Sequence, residues 1–205
     1  DRPGGRLVLR GVQRRSPSVA PDGQRLLLAS TRPLPGDSAA GDYNLWMLRA
    51  DAAGGWSAPE PLATVNSDAA DYQPTLTADG TLYFTSEREG GQDLYRARWD
   101  GRQYQAPEHL GSAINTNESE MSSFISPDGS YLVFATSAGH PGHVGNDDLY
   151  ISFFRDGLWT APRNLGQPIN SFANEYGPTV SGGYLYFTSD RHPPANIYRV
   201  PVETL

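Results

Sequence analysis

One pattern recurs four times along this chain and leaves few folds open to it. Pro17-Ser18-Val19-Ala20-Pro21-Asp22-Gly23, Pro74-Thr75-Leu76-Thr77-Ala78-Asp79-Gly80, Ser123-Phe124-Ile125-Ser126-Pro127-Asp128-Gly129 and Pro178-Thr179-Val180-Ser181-Gly182-Gly183 begin 57, 49 and 55 residues apart. After each comes an apolar run ending in Ser: Leu26 to Ser30, Leu82 to Ser86, Leu132 to Ser137 and Leu185 to Ser189. A loop of variable length then leads to Asn44-Leu45-Trp46, Asp93-Leu94-Tyr95, Asp148-Leu149-Tyr150 or Asn196-Ile197-Tyr198. Three units add a fourth element, Trp56-Ser57-Ala58-Pro59, Tyr104-Gln105-Ala106-Pro107 and Trp159-Thr160-Ala161-Pro162. Self-similarity at such a period marks a repeat architecture.

Each unit therefore offers four short β-rich segments. Asp-Gly and Gly-Gly pairs between them supply the positive φ that tight hairpins need. A four-stranded antiparallel unit of about 50 residues is a propeller blade. The expected fold is all-β, a β-propeller of four-stranded antiparallel blades in a single domain, with units near 14–65, 71–114, 120–169 and 175–205. A β-sandwich is the competing reading, and four in-phase copies weigh against it. Unit four stops after its third strand. The segment 5–12, containing Leu7-Val8-Leu9, is expected to supply the missing strand beside Tyr198 to Val202 and close the ring, removing sheet edges. Since propellers typically have four to eight blades, a piece of a larger ring is the alternative.

Ser126-Pro127-Asp128-Gly129, Tyr131-Leu132-Val133-Phe134 and Asp148-Leu149-Tyr150 resemble the TolB-like, WD-repeat-like propeller repeat, and the resemblance covers nearly the whole chain. Trp159 to Pro162, Asn164-Leu165-Gly166, Ile169-Asn170 and Glu175 are similar to the subtype found beside periplasmic peptidoglycan-associated and OmpA-like modules of Gram-negative envelopes. That resemblance implies export and an interaction role more than catalysis. Two departures stand out: Ser181-Gly182-Gly183 replaces Pro-Asp-Gly in unit four, and unit three has Ala138-Gly139 where the others carry an acid or Thr followed by Arg.

Composition removes several function classes. The 205 residues carry a net charge of −7, which argues against a binder of phosphate backbones. There is no Cys, so thiol nucleophiles, zinc thiolates and disulfides are excluded. All 16 basic residues are Arg, which removes Lys Schiff bases and the P-loop Lys. Apolar runs are a few residues long, far short of the roughly 20 a membrane helix needs. With Asp at position 1, the chain is expected to be a processed form or a cut piece of a longer one, so the localisation, periplasmic or extracellular, rests on the resemblance.

The hairpins and the variable loops leave opposite ends of a blade. The loops Pro33 to Asp42, Glu89 to Gln92, Ala138 to Asp147 and His192 to Ala195 share one end, the expected functional face. Arg32, Arg88 and Arg191 follow Ser at the end of strand two there, while Asp71, Glu120 and Glu175 stand three residues before the Pro or Ser of the inner strand. They are expected to ring the channel mouth, either gripping an acidic or saccharide ligand or a peptide terminus, or pairing with one another between blades. His140 and His143 with an Asp offer a partial zinc or manganese set, and Asn146-Asp147-Asp148 an oxygen cluster for calcium; a solvated Gly/Pro loop is the plainer reading. No Gly-x-Ser-x-Gly elbow occurs. Asp71, Glu120 and Glu175 would be the acids of a glycoside-cleaving alternative. Trp56, Tyr104 and Trp159 recur at one strand position and are expected to pack blade on blade.

The sequence thus predicts a monomeric, non-enzymatic exported module that binds a protein or a small acidic or saccharide ligand, with Arg32, Arg88, Arg191, Asp71, Glu120, Glu175, His140 and His143 as contact residues. No cofactor, metal or nucleic acid is expected.

Overall fold

In the computed structural model, which describes residues 13–36 and 41–204, each repeat folds into a small antiparallel sheet and the Asp-Gly pairs sit where the chain reverses. Blade one comprises β1 (Arg14–Val19), β2 (Arg25–Ser30), β3 (Asn44–Arg49) and β4 (Glu60–Pro61). Blade two comprises β5 (Asp71–Leu76), β6 (Leu82–Ser86), β7 (Asp93–Ala97) and β8 (Glu108–His109). Blade three holds β9 (Glu120–Ile125), β10 (Tyr131–Thr136) and β11 (Asp148–Arg155), with β12 (Leu158–Trp159) and β13 (Arg163–Asn164) both pairing with β11. Blade four holds β14 (Glu175–Ser181), β15 (Tyr184–Ser189) and β16 (Asn196–Pro201). The four sheets form a four-bladed β-propeller. The expected closing segment 5–12 lies outside the described residues. Among the described residues the one helical element is the 3-10 turn Val202–Thr204, and no helix is long and apolar enough to cross a membrane.

Turn chemistry explains the first hairpins. Gly23, Gly80 and Gly129 take positive φ of 68°, 90° and 72°, a region that costs other residues about 1 kcal/mol or more. The Asp before each Gly turns its carboxylate back on the hairpin. Asp79 accepts from Thr81 N (3.0 Å) and the Thr77 hydroxyl, and Asp128 accepts from Ser130 N (3.1 Å), Ser130 Oγ (2.8 Å) and Ser126 Oγ (2.6 Å). These hydroxyl bonds, Thr77 for Asp79 and Ser126 for Asp128, hold both carboxyls below their ordinary value of 3.8. A depressed folded pKa stabilises the protein above the unfolded value and loses that contribution as pH falls through the folded one. Stability, followed by urea denaturation from pH 6 downward, is therefore expected to drop below about pH 4, and the double variant Asp79→Asn, Asp128→Asn to show a shallower drop. An unchanged slope would remove these turns as its source.

The core lies between blades rather than within them. One cluster joins Leu27, Ala29, Leu45 and Met47 of blade one to Leu76, Leu82, Phe84 and Tyr95 of blade two. A second joins Tyr83 and Leu94 of blade two to Ile125, Leu132, Phe134 and Tyr150 of blade three. A third joins Val133, Ala135, Leu149 and Ile151 of blade three to Leu185 and Phe187 of blade four. Fully burying each Val, Leu, Ile, Phe or Met among them stabilises by about 1.5–3 kcal/mol. Trp159 packs edge-on against Tyr83 across a blade boundary at 6.2 Å, and Tyr104 is buried in the first cluster, as expected of them. Trp56 departs from that expectation, being 41% exposed.

Each inner strand is bulged at one register. Ser16, Gln73, Ser122 and Gly177 adopt φ of 49°, 55°, 53° and 62°. For the three that are not glycine this is strained backbone. At blades two and three the strain is held by a bridge: Gln73 Nε2 donates to Ser122 Oγ at 2.6 Å, and Ser122 N donates to Gln73 Oε1 at 2.8 Å.

Candidate functional site

At the loop end of the propeller one small assembly is built three times. It starts from a linker motif, Asn-Ser-x-x-x-Asp at Asn66 to Asp71, Asn-Thr-x-x-x-Glu at Asn115 to Glu120 and Asn-Ser-x-x-x-Glu at Asn170 to Glu175. The Asn side chain clips onto strand three as a short extra strand would. Asn115 accepts from Leu94 N at 2.9 Å and donates to Leu94 O at 3.0 Å. Asn66 does the same to Leu45 (2.8 and 3.1 Å) and Asn170 to Leu149 (2.8 and 2.9 Å). Five residues on, the acid opens the next inner strand, and its own amide donates at 2.7 Å to the preceding blade: Asp71 to Tyr43 O, Glu120 to Gln92 O and Glu175 to Asp147 O.

The carboxylates of Asp71, Glu120 and Glu175 are fully buried. Burial without partners would be very costly, and each has several. Asp71 accepts from Ser67 N (2.6 Å), Ser67 Oγ (3.0 Å) and Arg88 Nη2 (2.9 Å). Glu175 accepts from Ser171 N (2.8 Å), Ser171 Oγ (2.7 Å), Ser189 Oγ (2.5 Å) and Arg191 Nη2 (3.1 Å). Glu120 accepts from Thr116 N (2.9 Å), Thr116 Oγ1 (2.7 Å) and Thr136 Oγ1 (3.2 Å).

The cation completes a latch. Arg88 donates to Val65 O at 2.8 Å and lies over the rings of Tyr95 (4.8 Å) and Phe84 (5.4 Å). Arg191 donates to Ile169 O and lies over Tyr198 (4.9 Å) and Phe187 (5.7 Å). Unit three has no Arg after strand two, and the structure puts His140 in its place. Its Nε2 donates to Ile114 O at 2.9 Å and stands 3.8 Å from Glu120 Oε1, with the ring against Tyr150 (5.4 Å) and Phe134 (5.7 Å). His140 is thus buried rather than solvated on a free loop. Arg32 of blade one lies over Trp46 at 5.0 Å, and by register Arg14 holds the position of the three acids.

The loop Ala138 to Asp147 is fixed at a second point. Buried Asp148 accepts from Val144 N (2.7 Å), Gly145 N (3.2 Å) and Asn164 Nδ2 (2.8 Å), and His143 Nδ1 lies 3.6 Å away. Gly145 has no room for a side chain, since an added Cβ would meet Ser171 O at 2.4 Å. Burial pushes the Asp147 carboxyl above its ordinary range, while its bonds from Asn174 hold Asp190 below. Among the described residues no group of three or more His, Asp or Glu is placed to hold a metal ion.

Arg88 and Asp71, Arg191 and Glu175, and His140 and Glu120 are therefore brought together, within blades, and stay apart from the central cavity. That cavity, about 610 Å³, lies between the inner strands at the bulges, lined by residues such as Pro17, Gln73, Ser122, Phe124 and Thr179; among the described residues none that lines it is titratable. A second depression of about 480 Å³ opens on the loop face between blades one, two and three, with Asp42, Asp68, Glu87 and Gln92 in its wall. The Asn clips and the Ser67, Thr116 and Ser171 donors carried no role in the sequence reading. The signal for them is the fixed spacing of Asn, hydroxyl and acid in three linkers.

No protein-family profile matches the chain, and none of the characterised proteins compared matches it in sequence. Among solved structures it is similar to a gluconolactonase from Xanthomonas campestris (TM-score 0.60, 15% identity, 94% of this chain and 59% of that one). It is also similar to a protein assigned as TolB from Agrobacterium tumefaciens (0.56, 22%, 94% and 59%) and to a puromycin hydrolase (0.57, 16%, 94% and 27%). At these identities the likeness carries the propeller fold alone, and the chain spans 27–59% of the length of these three structures.

Proposed function

We propose that this chain is a non-enzymatic, exported interaction module of the bacterial envelope, related to the TolB-like repeat family, which presents its variable loops to a partner protein. The observation that carries this reading is the central cavity. A hydrolytic site needs an acid, a base or an activated nucleophile converging on a concave space, and among the described residues this one is lined by uncharged side chains. The acids that would have served a glycosidase are buried and bound to their own blades. The loop face suits the alternative role: its loops differ in length and sequence while the latches beneath them repeat. In this reading Arg32 and His143 border the contact surface, and Arg88, Arg191, His140 and the three acids position it. A protein partner fits better than an acidic small ligand, because the guanidinium groups of Arg88 and Arg191 are already engaged. A photo-crosslinking residue at Glu89 or Pro141 on the loop face should trap a discrete envelope protein, whereas one at Arg102 on the hairpin face should not. Equal crosslinking from both faces, or turnover of lactone, ester or glycoside substrates by the purified chain, would overturn the proposal.

A further inference from the structure

The three linkers between blades share the residue types that build the latch and differ at one position that does not. After the clip residues Asn66, Asn115 and Asn170 come the donors Ser67, Thr116 and Ser171, and next Asp68, Asn117 and Phe172, all three exposed on the loop face. An acid, an amide and an aromatic thus stand at one place on a repeated scaffold. Phe172 is the extreme case: at 82% it is the most exposed large apolar residue among those described. The latch does not require it, since Asp and Asn serve at the same position in the other linkers. Its backbone is held on both sides. Ser171 N donates to Glu175 Oε2 (2.8 Å), Ala173 N donates to Ser171 Oγ (3.2 Å) and Asn146 N donates to Ala173 O (3.1 Å). Gly145 lies tight against the carbonyls of Ser171 and Ala173, so Val144, itself 40% exposed, stands on the adjoining segment. An aromatic ring displayed from fixed backbone loses little further freedom when it is covered, the setting in which such residues anchor interfaces.

Two blade steps round the same face the surface turns acidic. Asp68, the counterpart of Phe172, walls the depression of about 480 Å³ together with Asp42 and Glu87. Exposed Glu89 and Glu118 adjoin its lining residues Gly90 and Ser119 in the chain. Among the described residues no Arg or His lines this depression, and no ion pair joins any of the five acids to a cation.

We infer that the partner of the loop face is a polypeptide segment of a second protein in which apolar side chains adjoin Lys or Arg, the apolar part covering Phe172 and Val144 and the cations entering the acidic depression. The inference rests on the loop-face reading and gives its partner a chemistry. Charge complementarity selects the occupant: an acidic segment, an anionic lipid headgroup or a phosphate backbone would meet five uncompensated carboxylates, whereas a basic one gains from them. The apolar anchor selects it further, because a segment carrying charge alone leaves Phe172 in water.

Dye-labelled synthetic peptides titrated with the purified chain and read by fluorescence anisotropy test it. A peptide with Leu and Phe flanked by Lys and Arg should bind, and its affinity should fall as salt is raised, since screening weakens exposed charge pairs. The same peptide with Glu for each Lys and Arg, or with Ser for each Leu and Phe, should bind about fivefold more weakly or worse. Phe172→Ser should weaken the basic apolar peptide by about fivefold or more and leave its salt dependence intact, as expected of an anchor. Asp42→Asn combined with Asp68→Asn should weaken it and flatten the salt dependence. Leu158→Ser, at a comparably exposed apolar residue on the hairpin face, should change neither. All four positions are exposed, so circular dichroism should stay unchanged in every variant. No binding of the basic apolar peptide, equal binding of its acidic counterpart, or full affinity in Phe172→Ser would overturn the inference. If the crosslinks from Glu89 and Pro141 still trap an envelope protein in that case, the loop-face reading stands and the partner chemistry alone falls.

Discussion

Asn115→Ala is expected to lower the stability of the chain by about 1–3 kcal/mol, seen as a fall in the denaturant midpoint with the slope unchanged. The side chain bonds both backbone groups of Leu94, a residue of the second inter-blade cluster, and removing it leaves the buried N–H without a partner, while Leu94 O keeps the bond from Leu110 N at 3.1 Å. Such an orphan costs about 1–3 kcal/mol, more than the bond contributed when made. Asn115 also contacts His109 Nε2 at 2.8 Å, so part of the loss reflects a loosened end of β8. Asn115→Asp keeps an acceptor for Leu94 N and loses only the donor to Leu94 O, but it places a charge at a buried position, so its loss should be substantial as well. A change under about 1 kcal/mol in Asn115→Ala would mean that strand three holds its place without the clip.

How far this arrangement could be read from sequence depends on the scale of the signal. The blade architecture was legible because positive φ, alternating apolar runs and turn residues act locally and recur in four phases. Position on a face was legible too, since Arg32, Arg88 and Arg191 share one strand end with Asp71, Glu120 and Glu175. What the acids and cations do there was not legible, because pairing depends on approach distances of about 3 Å that spacing cannot supply. His140 shows the limit. It stands four residues past Thr136, whereas Arg88 stands two past Ser86, so an alignment by position leaves unit three without a latch; folding of the longer loop brings the imidazole to the same carbonyl and acid. Trp56 fails for a different reason. Its counterpart Trp159 meets Tyr83 of the preceding blade, and no blade precedes blade one among the described residues.

Arg88→Ala is expected to cost about 3–5 kcal/mol, the range for removing one member of a buried ion pair. The substitution leaves the Asp71 carboxylate, fully buried, with Ser67 alone to satisfy it, strips the cover from Tyr95 and Phe84, and frees Val65 O. For a chain of this size the loss corresponds to a fall in Tm of roughly 6–20 °C. Arg88→Lys should fall in between, since an ammonium keeps the charge but loses the fork that reaches Asp71 and Val65 together. The decisive comparison is Arg88→Ala combined with Asp71→Asn. If the cost of the single change is an uncompensated buried charge, neutralising that charge should recover part of the stability, and the pair should cost less than the sum of the single changes. The sequence alone allowed these arginines to be ligand contacts, in which case removing them would leave Tm nearly unchanged. A loss under about 1 kcal/mol in Arg88→Ala, with additive behaviour in the double variant, would show that the latch does not hold the loop face and would return Arg88 to the set of residues free to meet a ligand.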